Sequence, residues 1–187
     1  VNTAENTLFW VEPSPLLDYS IKRFFPGTKN SETIATIPHF PGVFSASYTS
    51  DTVYWSDNTG ISKQIYPYTR PLAAVTTKVA DIKTFFPPGE ATGFIYWSEM
   101  DIDSFEFGTG AIYRIQSNGT NKETVHEGLY SVYGIAIDEN HDTLYWADPA
   151  DYKIYNSTLS GENISSIPGG YPPYYLTLDA ANSILYW

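Results

Sequence analysis

The chain has 187 residues and a mass of 21.0 kDa, enough for a domain with its own core. Its 42% hydrophobic, 17% aromatic and 17% charged residues exclude an intrinsically disordered chain. Ten Lys and Arg against 21 Asp and Glu give a formal charge of -11, which opposes a phosphate backbone or an anionic lipid surface, so neither nucleic acid nor direct membrane insertion by this segment is expected, and with no Cys there is no disulfide framework, thiolate metal site or Cys nucleophile.

No apolar run approaches the roughly 20 residues of a membrane-spanning helix. Val1 stands where an initiator Met would, with no charged and apolar leader behind it. The chain is therefore expected to be processed or cut from something longer. Its 13 Gly and 13 Pro punctuate 31 aromatic residues, a pattern of short strands and turns.

The strands recur as a repeat. In the first unit, approximately 1–42, Leu8-Phe9-Trp10 makes one strand and Ile21-Lys22-Arg23 the next. The second, 43–83, carries Val53-Tyr54-Trp55 and Ile61-Ser62-Lys63. The third, 84–132, carries Ile95-Tyr96-Trp97 and Ile112-Tyr113-Arg114; Phe86-Pro87-Pro88-Gly89 falls in its first strand, which is predicted short or bulged. The fourth, 133–173, is the clearest: Gly134 to Asp138 a strand, 139–142 a turn, Thr143 to Trp146 a strand, Lys153 to Asn156 a third and Asn163 to Ile167 a fourth. In the fifth, 174–187, Leu178-Asp179 aligns with Ile137-Asp138 ahead of Leu185-Tyr186-Trp187.

All five Trp thus occupy one motif, at spacings of 45, 42, 49 and 41 residues. Four antiparallel strands per period of about 40 to 45 residues is a propeller blade. The fold class is all-β, a single incomplete β-propeller across 1–187 with four to five blades. No sustained 3.6-residue apolar period is present, so helix is not expected. Adjacent strand residues point to opposite faces, so a Tyr-Trp pair fills the gaps on both sides of its blade with rings that each bury on the order of 150 to 250 Å². Trp10, Trp55, Trp97, Trp146 and Trp187 are assigned this structural role.

These motifs resemble the YWTD repeat, the low-density-lipoprotein-receptor class B repeat. The tetrad reads Phe9-Trp10-Val11-Glu12, Tyr54-Trp55-Ser56-Asp57, Tyr96-Trp97-Ser98-Glu99 and Tyr145-Trp146-Ala147-Asp148. The resemblance implies a six-bladed propeller of a secreted protein or receptor ectodomain that binds other proteins and often adjoins EGF-like modules. Six units at the mean spacing need about 265 residues, so the parent is expected to continue beyond this chain.

The loops joining second to third strands, and those joining one blade to the next, emerge on one side. From Trp to the following Ile the former span 11, 6, 15 and 8 positions. They hold Glu12, Asp18, Asp57, Glu99, Asp101, Asp103, Glu106, Asp148 and Asp151; the connections between blades add Phe40, Tyr130, Tyr171 and Tyr174. Variable acidic and aromatic loops on a rigid scaffold suit protein binding. The candidate face is Phe40, Asp101, Asp103, Glu106, Tyr130, Asp151, Tyr171 and Tyr174. Packing against the next blade is the alternative for the tyrosines. Asp57, Glu99, Asp148, Asp138 and Asp179 read as structural acceptors for neighbouring backbone. Asp101, Asp103 and Glu106 lack the Gly and bidentate Glu of a calcium loop and read as a solvated acidic loop, so no metal site is assigned.

Asn118, Asn156 and Asn163 begin glycosylation sequons, about as many as chance supplies, placed on outer strands or third-to-fourth turns, where glycans would leave the acidic face bare. No other cofactor is expected. His39, His126 and His141 are read as ordinary turn or surface residues. The leading functional reading is a non-catalytic extracellular protein-binding module whose partners carry basic or amphipathic segments. A structural subunit of a matrix, cell-surface fibre or similar assembly, self-association included, is the second. A metal-dependent lactonase or esterase-like propeller is the third, and no Glu, Asn and Asp ligand set for it can be assembled from the sequence.

Overall fold

The computed structural model describes residues 8–14, 18–37, 42–47, 52–57, 59–65, 68–75, 77–101 and 108–187. Regular structure among them is strand throughout, as the lack of helical periodicity predicts. The chain divides into two units, Val1–Val75 and Thr76–Trp187.

In the first unit β1 (Leu8–Pro13), β2 (Tyr19–Phe25) and β3 (Asn30–Ile37) form one antiparallel sheet. A four-stranded meander follows, with β4 (Phe44–Ser47), β5 (Thr52–Ser56), β6 (Ile61–Ile65) and β7 (Tyr68–Ala73). Val53 and Trp55 of β5 pack against Ile21, Ala35 and Ile37 of the preceding sheet, with Phe9 and Val11 alongside. Every described residue of β5 is buried.

The second unit repeats the plan. β8 (Lys78–Phe85), β9 (Phe94–Met100), β10 (Gly110–Gln116) and β11 (Glu123–Leu129) form one meander, and β12 (Ile135–Asp138), β13 (Thr143–Asp148), β14 (Lys153–Thr158) and β15 (Ser165–Pro168) another. β16 (Thr177–Asp179) pairs with β17 (Ile184–Tyr186). Trp146 and Leu144 of β13 face Tyr96, Met100 and Ile112 of the preceding sheet. Their neighbours Tyr145 and Ala147 face the other way, toward Leu178 and Leu185. The alternation expected of a Tyr-Trp pair is realised within each unit: Trp55 and Trp146 seal their sheets to the one before, and Tyr96 and Tyr145 face the one after, whereas Tyr186 and Trp187 of the last pair are half-exposed.

Two strands differ from the sequence reading. The first strand of the third sheet is neither short nor placed at Pro87: it runs Lys78–Phe85, so it starts before the expected unit boundary at 83/84. Pro87 and Pro88 have no N–H for a ladder, so they form the connection to β9, while buried Val79 and Ile82 anchor the strand. The bulge that was expected falls between Val79 and Asp81. The fourth strand of the fourth sheet begins at Ser165, because Asn163 takes a positive φ of 58° and belongs to the turn.

Candidate binding face

The sheets of the second unit are meanders, so the β9–β10, β11–β12, β13–β14 and β15–β16 connections gather at one end of its strands. The acids at the entrance to these loops divide by length. Asp148, 3% exposed, curls back on its own loop and accepts from the Ala150 and Asp151 N–H groups, both at 3.0 Å. In the first unit Asp57 does the same for Thr59 N–H at 2.7 Å and Gly60 N–H at 3.3 Å. These are Asx turns. Burial pushes the Asp148 carboxyl up from its ordinary pKa, against the pull of those backbone donors.

Glutamate at the same place reaches the indole instead. Trp97 Nε1 donates to Glu99 at 2.6 Å and Trp10 Nε1 to Glu12 at 3.0 Å. Glu99 was expected to accept from neighbouring backbone; its extra methylene also carries its carboxylate to the indole. Trp55, followed by the shorter Asp57, keeps a buried Nε1 with no acceptor among the described residues.

The frame beneath the loops is held by polar bridges between the third and fourth sheets. Tyr96 OH donates to the Leu159 carbonyl at 3.2 Å, and Arg114 Nη1 donates to the same oxygen at 3.0 Å. Asp81 accepts from Ile135 N–H at 2.9 Å and from Lys83 Nζ. Ser98 Oγ donates to the Tyr133 carbonyl at 2.6 Å. His126 is not the turn or surface histidine expected: it lies in β11, 8% exposed, with Nε2 2.9 Å from Ser157 Oγ and its ring 4.6 Å from that of Trp146. Burial lowers its pKa. The His-Ser pair is no nucleophile, since Ser157 is buried and its hydroxyl donates to the Thr158 carbonyl. His141 lies in the β12–β13 turn against Asp138; His39 lies outside the described residues.

Of the candidate face, Phe40, Asp103 and Glu106 also lie outside the described residues. Asp101 is half-buried. Asp151 is committed to Lys153 Nζ at 2.7 Å and to the Tyr155 hydroxyl. Tyr130, Tyr171 and Tyr174 are exposed, by 46%, 85% and 48%. Two further tyrosines share that end and were missed: Tyr152 in the β13–β14 loop and Tyr175, 78% exposed, in the β15–β16 connection. The signal for both was adjacency, to Asp151 and to Tyr174. Their loops are tied together by backbone. Gly169 N–H donates to the Tyr152 carbonyl and Gly134 N–H to the Tyr174 carbonyl, each at 2.8 Å. A Cβ on Gly134 would stand 2.8 Å from Tyr175 Cα, so only glycine permits that approach.

The sequons are unequal. Asn118 and Asn163 are exposed in turns. Asn156 sits within β14, the third strand, where the sequence placed it, paired across to Tyr145 and Ser165, with its Oδ1 accepting from Ser165 Oγ at 2.9 Å.

No protein-family model matches the chain. Against solved structures it superposes on a chain of a nidogen/laminin complex with a TM-score of 0.72 at 21% identity, over 97% of this chain and 68% of that one. The chain is a partial β-propeller. Its sheets repeat an aliphatic-aromatic-Trp motif, with Tyr and Trp at the seams described above. The propeller also superposes on the calcium-binding protein regucalcin from Agrobacterium tumefaciens, with a TM-score of 0.66 at 14% identity, over 95% of this chain and 61% of that one. In sequence it is 25% identical over 160 residues to the proto-oncogene tyrosine-protein kinase ROS of Gallus gallus. That match takes in 80% of this chain and 6% of the kinase, so the chain spans a small part of that relative.

Proposed function

We propose that this propeller is a non-catalytic, extracellular protein-binding module of a receptor or matrix glycoprotein, and that it binds through the tyrosine-bearing end of its second unit. The observation that carries this reading is the cluster of exposed tyrosines on backbone-tied loops above a buried, polar-bridged frame. Charge supports it. Residues 76–187 hold 15 acids against 5 bases, a net charge of -10, whereas residues 1–75 hold 6 against 5. A field of one sign steers a basic partner and discourages others. The fold comparisons add that a similar propeller occurs in a complex of two proteins. N-linked glycans at Asn118 and Asn163 fit the reading, since both asparagines lie at turns on the opposite end of the strands from the tyrosines.

The likeness to regucalcin is one of fold. Among the described residues no group of three His, Asp or Glu side chains is placed to hold an ion. The test is selection of binders from a panel of extracellular proteins, followed by rebinding to Tyr171→Ser/Tyr175→Ser and to Glu139→Gln/Glu162→Gln, which alters the opposite end. A partner lost only with the tyrosine variant supports the proposal. Partners lost only with the opposite-end variant, or calcium-dependent lactone hydrolysis, would overturn it.

A further inference from the structure

The chain's own cations repeatedly settle on aromatic rings. Arg23 lies 4.6 Å from the Phe25 centroid, Arg114 5.1 Å from Phe94, and Lys122 4.5 Å from Tyr113. Beside the tyrosine cluster the arrangement gains a carboxylate: Lys153 Nζ is 2.7 Å from Asp151 and 5.7 Å from the Tyr155 ring. The next exposed rings, Tyr152, Tyr171, Tyr174 and Tyr175, receive no cation from the described residues.

We infer that this platform docks an extended, arginine-bearing segment of a partner protein. The inference rests on the binding-module reading above and specifies its partner. Three features of the platform select that chemistry. The negative potential of a unit with a net charge of -10 favours a cation over a neutral or acidic segment. Tyrosine faces attract a cation through the ring quadrupole, and a planar guanidinium stacks on them as an ammonium cannot. Four phenols supply hydroxyls at the rim, and an extended segment leaves its carbonyls open to them.

The platform is also rigid enough to select. Gly169 N–H holds the Tyr152 loop, Trp187 Nε1 donates to the Gly169 carbonyl at 2.9 Å, and Tyr174 packs edge-on against Tyr133 at 5.1 Å between centroids. A backbone held in place before binding leaves only side-chain freedom to be lost when a partner arrives.

Titration calorimetry of the full chain with blocked tetra-arginine, tetra-lysine and tetra-glutamate peptides tests this. Tyr171→Ser/Tyr175→Ser is the decisive variant: both rings are largely exposed, so folding is unaffected, and no charge changes. Tetra-arginine is expected to bind more tightly than tetra-lysine, and its Kd to rise about tenfold in the variant. Equal tetra-arginine affinity in both proteins, lost on raising salt from about 50 mM, would mean diffuse charge attraction. That outcome removes the platform while leaving the acidic-face reading standing. No binding of either basic peptide by either protein at low salt sinks both. Tyrosine-dependent binding of a chito-oligosaccharide without binding of tetra-arginine would instead assign the platform to carbohydrate.

Discussion

Replacing Asp148 with alanine isolates the role of the acid that follows each tryptophan. The carboxyl is 3% exposed, and a single oxygen, Oδ1, accepts both the Ala150 and Asp151 N–H groups at 3.0 Å. Hydrogen bonds to charged groups contribute about 1.5 to 3 kcal/mol and neutral ones about 0.5 to 1.5. Burial disfavours the charge here, Ala150 and Asp151 are exposed enough to turn to water, and the buried Ser131 backbone, which also hydrogen-bonds the carboxyl, is not, so the expected loss for Asp148→Ala is about 2 kcal/mol. Asp148→Asn keeps an oxygen in the Oδ1 position without the buried charge and should cost less than about 1 kcal/mol. Urea unfolding at neutral pH reads the difference. With a slope of about 2 kcal/mol/M, the alanine variant shifts the midpoint down by about 1 M at unchanged slope. The pH dependence has a definite sign. A carboxyl whose folded pKa is raised contributes stability that is complete below its unfolded pKa and is lost as pH rises through the folded value, and Asp148→Asn should abolish that step. If the alanine and asparagine variants lose the same stability, the acceptor is not what holds the loop.

The seam between the third and fourth sheets gives a second prediction: Tyr96→Phe should cost about 0.5 to 1.5 kcal/mol, because the Leu159 carbonyl retains Arg114. Arg114→Met, which also gives up Glu123 and the Phe94 ring, should cost more, and the double variant less than the sum. His126 is held neutral by burial; its depressed folded pKa means stability is full above the ordinary His value of about 6.5 and falls by up to about 1.4 kcal/mol per pH unit below it. His126→Gln should flatten that slope in denaturation curves taken from neutral to acid pH. Mass spectrometry of protein from a secretory host should find glycan at Asn118 and Asn163 and none at Asn156, whose side chain is engaged within the fourth sheet.

Much of the fold was legible because its repeat is carried by few, chemically costly residues. A Trp beside a Tyr or Phe on a strand favours burial of both faces of that strand, and five such pairs, four with Tyr and one with Phe9, at near-constant spacing point to stacked sheets. Strand boundaries were less legible where turn chemistry competed with pattern. Pro87 and Pro88 lie in the connection after β8, yet they drew the reading toward a broken strand. The binding face was legible only in part: proximity to Gly and Pro marked Tyr171 and Tyr174 as loop residues, while exposed Tyr152 and Tyr175 were passed over. Whether a Tyr is buried like Tyr96 or exposed like Tyr175 depends on what the next sheet brings to it, which residue identity does not encode.

The same division runs through the polar groups. The sequence alone determined the class of fold, the motif at each seam, the side on which the variable loops gather and the acidity of the chain, because each follows from periodicity, strand parity or composition. Only the tertiary structure decided that Glu99 serves an indole where Asp148 serves a backbone, that His126 is sealed beneath Trp146, and that Tyr152 is tied to the loop bearing Tyr171. Those outcomes turn on one methylene, one neighbouring sheet and one glycine without a Cβ, differences of an ångström or two that act between residues far apart in the chain.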